Sequence, residues 1–183
     1  VFHRYEKQED IIRAAKILKE SGVRWISYDF MLQHPFETIE DLKETFDILN
    51  HFQTPFELQL HGLNFLPGTD IVPLAVEKGI LTEEELDTIM YAPMAEQFGA
   101  YWKRGNETMS QLVYELIFCQ QFRPLRKKAA ALAADPLNNQ KKIHALFKRG
   151  RILYKLRHFA RKADMVLQSK RISDFSLHKK LYR

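Results

Sequence analysis

The sequence predicts an α/β fold, in which amphipathic helices alternate with short parallel strands, followed by a mainly α-helical region. Over residues 8–65 the spacing of apolar residues switches twice from the helical period to strict alternation. Short links between these segments imply parallel strands joined by right-handed crossovers. From residue 70 onwards the pattern is helical.

The first unit is a helix over residues 8–20 and a strand from Val23 to Leu32. Gly22 is a C-cap candidate between them. The apolar face of the strand carries Ile26, Tyr28, Phe30 and Leu32, and the mixed face carries Trp25, Ser27, Asp29, Met31 and Gln33. We expect the apolar face to pack on helices, so that Asp29 points away from them toward a ligand or a buried partner.

The second unit repeats this arrangement after Pro35, which ends the strand. Thr38 can cap the next helix, and Asp41 lies at its positive end. Its buried stripe consists of Leu42, Phe46 and Leu49. A strand from Phe56 to Phe65 follows, with Leu58 and Leu60 on one face and Gln59 and His61 on the other.

Bulk composition is that of an ordinary globular protein, since 45% of the 183 residues are hydrophobic and 28% are charged. No apolar run is long enough to predict a membrane span. The only cysteine, Cys119, excludes an internal disulfide or a cysteine-rich metal site and is expected to be a small buried side chain. No residues show metal-ligand spacing, so we expect no metal site here. Because a single cysteine leaves no internal disulfide, we expect the reducing cytoplasm as the location.

The order of these segments resembles the second half of the barrel of radical S-adenosylmethionine (SAM) enzymes, especially the group that carries a cobalamin-binding domain. The resemblance covers about residues 1–80. It is carried by the strand end and Pro turn from Asp29 to Thr38, the helix opening Glu40-Asp41-Leu42, the strand end Phe65-Leu66-Pro67-Gly68-Thr69, the helix and stop from Ala75 to Gly79, and the opening His3-Arg4-Tyr5.

The resemblance implies a fold and a division of the chain. The fold is the C-terminal portion of a partial (β/α)6 TIM-like barrel, followed by a mainly α-helical region. The barrel half would take residues 1–80, a helical extension residues 81–134, and a basic helical region residues 135–183.

The resemblance also implies a SAM site. Asp29 matches the carboxylate that hydrogen-bonds the SAM ribose, and a carboxylate can accept from both hydroxyls of a diol. Arg4 matches a basic residue that meets the SAM carboxylate. Asn64 and Leu66 lie where the sixth barrel strand passes the adenine.

A second set of residues is implied for the substrate cavity: Gln33, His34, Gln59 and His61. Gln33 and His34 replace the glycine of the commoner Gly-x-Pro ending. Other interpretations stay open: Asp29 as a buried structural acid, His61 as a core histidine with its hydrogen bonds satisfied, and His34 as a solvated turn residue.

The cofactor set follows from the same resemblance. The family uses SAM and a [4Fe-4S] cluster to generate a 5′-deoxyadenosyl radical, and the related group adds cobalamin through an upstream domain. The Cys-x-x-x-Cys-x-x-Cys motif has no counterpart here. We therefore expect an inactive fragment, with cluster ligands in a missing N-terminal half and a small-molecule, lipid or RNA substrate.

Charge divides the chain near Arg123. Residues 1–122 hold 10 Lys and Arg against 20 Asp and Glu, a net −10, while residues 123–183 hold 18 against 3, a net +15. The basic part interleaves Arg149, Arg151, Lys155, Arg157, Arg161 and Lys162 with Tyr154, Leu156 and Phe159. It can bind nucleic acid or an anionic membrane surface, or it can be a solvated helix docked on the acidic part.

An isolated half-barrel poses a packing problem. Two strands without their neighbours leave open edges, which favours edge pairing or a homodimer. We also expect Ile26, Phe30, Leu58 and Leu60 to be exposed and to promote aggregation.

Overall fold

A computed structural model describes residues 6–23, 25–32, 36–63, 65–93 and 108–181, with side chains described as far as residue 167. The chain is mainly helical, with 66% of residues in helices and 7% in strands. The prediction of an α/β fold is confirmed in this coarse form, as two parallel strands within a mainly helical chain.

The described elements are α1 (Gln8–Glu20), β1 (Ser27–Met31), α2 (Ile39–Asn50), β2 (Glu57–His61), α3 (Ile71–Glu77), α4 (Glu83–Met90), α5 (Thr108–Cys119), α6 (Arg123–Ala133), a 3-10 turn (Leu137–Asn139) and α7 (Gln140–Leu181). Both strands are shorter than the alternating segments that predicted them, because the hydrogen-bonded ladder covers only five residues in each. The last helix has 42 residues.

β1 and β2 pair in parallel, with α2 as the connection between them. The register sets Asp29 opposite Gln59 and Met31 opposite His61. The peptide bond before Pro55, at the entry to β2, is cis. Side chains that alternate along each strand therefore form one apolar face and one mixed face, shared by the two strands.

Helix α2 begins with the cap that the sequence predicts. The Thr38 hydroxyl accepts from the Asp41 N–H at 3.2 Å, and the Asp41 carboxylate accepts from the Thr38 N–H at 2.8 Å. These reciprocal bonds satisfy two free donors of the first turn. The predicted stripe of Leu42, Phe46 and Leu49 is buried.

The apolar face of the sheet lies in the main core, which corrects the expectation of exposed strand residues. Ile26 and Leu58 are buried, and Phe30 and Leu60 are partly buried. The covering side chains come from α2 and from the C-terminal helices: Leu42, Phe46, Leu49, Leu112, Leu116, Ile117, Leu125, Ala129, Ile143 and Leu146 belong to the same cluster. The helical region thus removes the apolar surface that a bare half-barrel would expose.

A second, smaller core surrounds α3 and α4. Its buried members are Leu63, Phe65, Ile71, Ala75, Leu81 and Leu86. Gly79 takes a φ of +63° just after α3, a conformation that favours glycine, and its N–H bonds the Val76 carbonyl at 2.9 Å. The predicted stop at this glycine is therefore confirmed.

Helix α7 packs closely on α5 at Gly150. A Cβ atom at this position would lie 3.3 Å from the ring of Phe118, so the absence of a side chain permits the approach. The same ring contacts Phe122, Phe147 and Tyr154, with centroids 5.2 to 5.9 Å away. This aromatic cluster anchors the first turns of the basic helix to the main core.

Candidate functional site at the mixed face of the sheet

The mixed face of the two strands is the place where polar side chains converge. It carries Ser27, Asp29 and Met31 from β1, and Glu57, Gln59 and His61 from β2. Helix α7 covers the beginning of this face, while its end is open. We call these two parts the covered end and the open end.

The covered end is built around Glu57, which is only 7% exposed. Arg161 Nη1 lies 2.7 Å from the Glu57 carboxylate, and the Tyr154 hydroxyl donates to it at 3.4 Å. The Arg161 guanidinium also lies over the ring of Trp25, 5.8 Å from its centroid. Burial, and secondly the Glu57 carboxylate, raises the pKa of Tyr154 above its ordinary value.

Arg157 makes a second connection between α7 and the start of β2. It donates to the Phe56 carbonyl at 2.6 Å and to the side-chain oxygen of Gln121. The same Gln121 oxygen accepts from the Leu58 N–H at 3.4 Å. Burial lowers the pKa of Arg157 from its ordinary value. The interpretation of the basic helix as docked on the acidic part of the chain is therefore confirmed for Arg157 and Arg161.

The open end holds Asp29 and His61. Their side chains are 74% and 61% exposed, and His61 Nε2 lies 3.9 Å from Asp29 Oδ1. Gln59, which lies opposite Asp29 in the register, donates to Glu57 at 3.2 Å. An exposed carboxylate beside an imidazole can accept hydrogen bonds from two hydroxyls while the ring exchanges a proton or donates a hydrogen bond.

Two of the alternative interpretations are wrong. Asp29 is not a buried structural acid, and His61 is not a core histidine, because both are exposed. The physical reason is that the described side-chain bonds from α7 to β2 are made at Glu57, whereas His61, at the other end of the strand, is exposed.

A groove of about 700 Å³ runs between α1 and the outer edge of β1. Ile11 and Leu18 line it from the helix, and Tyr28, Asp29 and Met31 line it from the strand. Within the described residues β1 pairs with β2 alone, so its outer edge faces this groove. Asp29 therefore belongs both to the open end and to the groove.

The remaining predicted site residues have different outcomes. Arg4, Gln33, His34 and Asn64 lie outside the described residues. Leu66 has an exposed side chain, and its carbonyl accepts from the Thr69 N–H at 3.3 Å and the Thr69 hydroxyl at 2.7 Å. These bonds close the turn over Pro67 and Gly68, so the Leu66 backbone is occupied in the turn.

Sequence reasoning missed two structural contacts, one at the mixed face and one just before α2. Glu57 continues the alternation of Gln59 and His61, which is the signal that could have assigned it to the mixed face. Glu37, just before α2, accepts a hydrogen bond from the Tyr114 hydroxyl, which links this position to α5. The glutamate of the turn motif therefore has a structural role.

Cys119 is buried, as predicted. Burial, and secondly the nearby Glu115 carboxylate, raises the pKa of its thiol to about 12. Glu115 in turn lies 2.6 Å from His144 Nδ1 at the contact of α5 with α7. Among the described residues there is no group of three or more His, Cys, Asp or Glu that could hold a metal ion.

Comparisons of the chain with protein-family models, with curated proteins and with solved structures find no match. Within the described ranges, none of the helices combines the length and the apolar character that a membrane crossing requires. The open end of the mixed face is the strongest functional signal in the part of the chain that the structure describes.

Proposed function

We propose that this chain is the SAM-binding side of a radical SAM enzyme, forming the second half of a partial (β/α)6 barrel that an N-terminal half completes. The observation that carries the proposal is the position of Asp29. Its carboxylate is exposed at the open end of a parallel βαβ unit, in register with Gln59 and 3.9 Å from His61. Polar residues toward the carboxyl ends of parallel barrel strands form the active site of such folds.

The residues present fit the nucleoside part of SAM. The Asp29 carboxylate can accept from both ribose hydroxyls, because its side chain is largely open to solvent. His61 and Gln59 lie on the same face and are available to a substrate held against the nucleoside.

The residues present do not fit an iron–sulfur cluster. A cluster of this kind needs several thiolates. The single thiol here, Cys119, is buried, and burial raises its pKa to about 12. The cluster, and any cobalamin, would therefore be held by residues outside this chain. The substrate class and the cytoplasmic location belong to the same proposal.

The outer edge of β1 supports the proposal of a completing half. An unpaired strand edge beside an apolar groove is a surface that another strand can cover. Ile11 and Leu18 of α1, which face this groove, are partly exposed. An additional strand here would bury them and extend the parallel sheet.

Nucleoside binding tests the proposal. We expect the chain to bind adenosine and S-adenosylhomocysteine in equilibrium dialysis, and Asp29→Asn to weaken adenosine binding about tenfold. The matched control is Asp47→Asn, an exposed acid on α2, which should change nothing. Because the carboxylate acts on both hydroxyls of the diol, 2′,3′-dideoxyadenosine, which lacks them, should bind the chain and its Asp29→Asn variant equally. Equal loss of adenosine binding in both variants, or no binding at all, would contradict the proposal.

A further inference from the structure

Helix α7 has an outward face that the docking contacts leave uncovered. Tyr154, Arg157 and Arg161 face the sheet and α5, whereas Ile152, Leu156 and Phe159 are exposed. Phe159 is 75% exposed, and Met165 and Leu167 are also mostly exposed farther along the helix. Large apolar side chains are usually buried, so an exposed row of them marks an interaction surface.

The spacing of these residues gives the surface its shape. Ile152, Leu156, Phe159 and Ala163 follow steps of four, three and four, which places them in one row along the helix. Lys148, Lys155 and Lys162 recur every seven residues and form a second, parallel row beside Ile152 and Phe159. All three lysines are exposed. We call these two rows together the outer stripe.

We propose that the outer stripe of α7 lies on an anionic membrane surface, with the apolar row at the acyl boundary and the lysine row among the headgroup phosphates. Long lysine side chains suit this arrangement because their stems can lie along apolar surface while the ammonium groups reach outward. The helix lies in the plane of such a surface and does not cross it.

The charge of the outer stripe favours an anionic membrane over a second copy of the chain or a nucleic acid. A second copy of the chain would bring the two lysine rows, with Arg149 and Arg151, against like charges. A nucleic acid would satisfy the cations but would leave the apolar row against water or phosphate. An anionic bilayer accommodates both rows at once. This inference is independent of the nucleoside site, which lies at the mixed face of the sheet.

Vesicle co-sedimentation of the full chain tests the inference. We expect binding to vesicles of phosphatidylcholine mixed with phosphatidylglycerol, weak binding to phosphatidylcholine alone, and a decrease with added salt. Lys155→Ser combined with Lys162→Ser should reduce binding about 30-fold. Leu156→Ser combined with Phe159→Ser should reduce it about tenfold or more.

The matched control is Lys127→Ser combined with Lys128→Ser, which removes two exposed charges from α6 and should leave vesicle binding nearly unchanged. Circular dichroism of each variant establishes that its helices are intact. The inference is overturned if the control loses as much vesicle binding as the lysine-row variant, because binding would then depend only on total charge. It is also overturned if vesicle binding survives Leu156→Ser with Phe159→Ser. Failure to bind anionic vesicles at low salt would overturn it as well. So would a dimer of the unaltered chain that becomes a monomer when Leu156→Ser and Phe159→Ser are combined.

Discussion

Arg161 joins Glu57 across the fold, with Nη1 2.7 Å from the carboxylate oxygen. The two residues are 104 positions apart, so this ion pair fixes the basic last helix to the first residue of the second strand. Glu57 is buried and Arg161 is about one-third exposed. The ion pair is therefore one specific contact between the basic part and the acidic part of the chain.

Removing Arg161 leaves a buried carboxylate without its main partner. Arg161→Gln should lower the free energy of unfolding by about 2 kcal/mol, because hydrogen bonds to charged groups contribute on this scale. Urea denaturation measures the change. The exposed pair of Lys16 and Glu20, 3.8 Å apart, is the control, and Lys16→Gln should change stability by less than about 0.5 kcal/mol. Equal effects of the two substitutions would contradict the assignment of Glu57 as buried.

Arg126 of α6 caps the end of α2. It donates to the carbonyls of Leu49 at 2.6 Å and Phe52 at 2.7 Å, and to the Gln120 side chain at 3.1 Å. Burial lowers the pKa of Arg126 from its ordinary value. Arg126→Met should lower the free energy of unfolding by about 3 kcal/mol, because these acceptors lose a charged donor.

Thermal or urea unfolding tests the role of Arg126, and Lys127→Met is the adjacent control. Lys127 is exposed on the same helix, so its replacement should change the free energy of unfolding by less than about 0.5 kcal/mol. Comparable stability of the two variants would show that the α2 carbonyls do not depend on Arg126.

Gly150 permits the close contact of α7 with α5. Gly150→Leu should destabilise the fold by about 2 kcal/mol relative to Ala145→Leu, because the added atoms meet the Phe118 ring. Ala145 is exposed on the same helix, so its substitution has space. Unfolding in urea compares the two variants, and a Gly150→Leu chain as stable as the control would contradict the close packing of α7 on the Phe118 ring.

Ionisation of the Cys119 thiol should lower the stability of the fold at alkaline pH. Its pKa rises from 9.0 to about 12 on folding, so the unfolded chain loses this proton first as the pH increases. The contribution of the protonated Cys119 thiol to the free energy of unfolding is therefore complete below about pH 9, and it is lost as the pH rises toward 12. At about pH 10 we expect a loss near 1 kcal/mol relative to neutral pH.

Cys119→Ala removes this ionisation. The pH dependence of its unfolding free energy should be flatter between about pH 8 and pH 10 than that of the unaltered chain, whatever its absolute stability. Tyrosine ionisation is common to both proteins and cancels in the comparison. Identical slopes would contradict the burial of the thiol.

Local signals predicted much of the βαβ unit. The Thr38 cap, the buried stripe of α2 and the parallel strands follow from residue type and period, which act over a few positions. The part of the cover that comes from α5 and the later helices was not predicted, because α5 begins at Thr108, 47 positions after β2 ends at His61. No period in the strands themselves encodes that contact.

The site shows the same division. The alternation of β1 and β2 placed Asp29, Gln59 and His61 on one face, and the structure brings these residues together. Their exposure could not be predicted, since it depends on where α7 ends its contact with the sheet. The docking role of Arg157 and Arg161 was one of several interpretations of a basic helix, and only the positions of Phe56 and Glu57 distinguish them.

The source DNA upstream of Val1 decides the proposal that this chain is half of a radical SAM barrel. We expect an open reading frame that continues upstream and encodes Cys-x-x-x-Cys-x-x-Cys at the end of a predicted strand. A start codon at Val1, or an upstream segment without these cysteines, would contradict the claim. In that case the outer stripe of α7 becomes the leading functional surface.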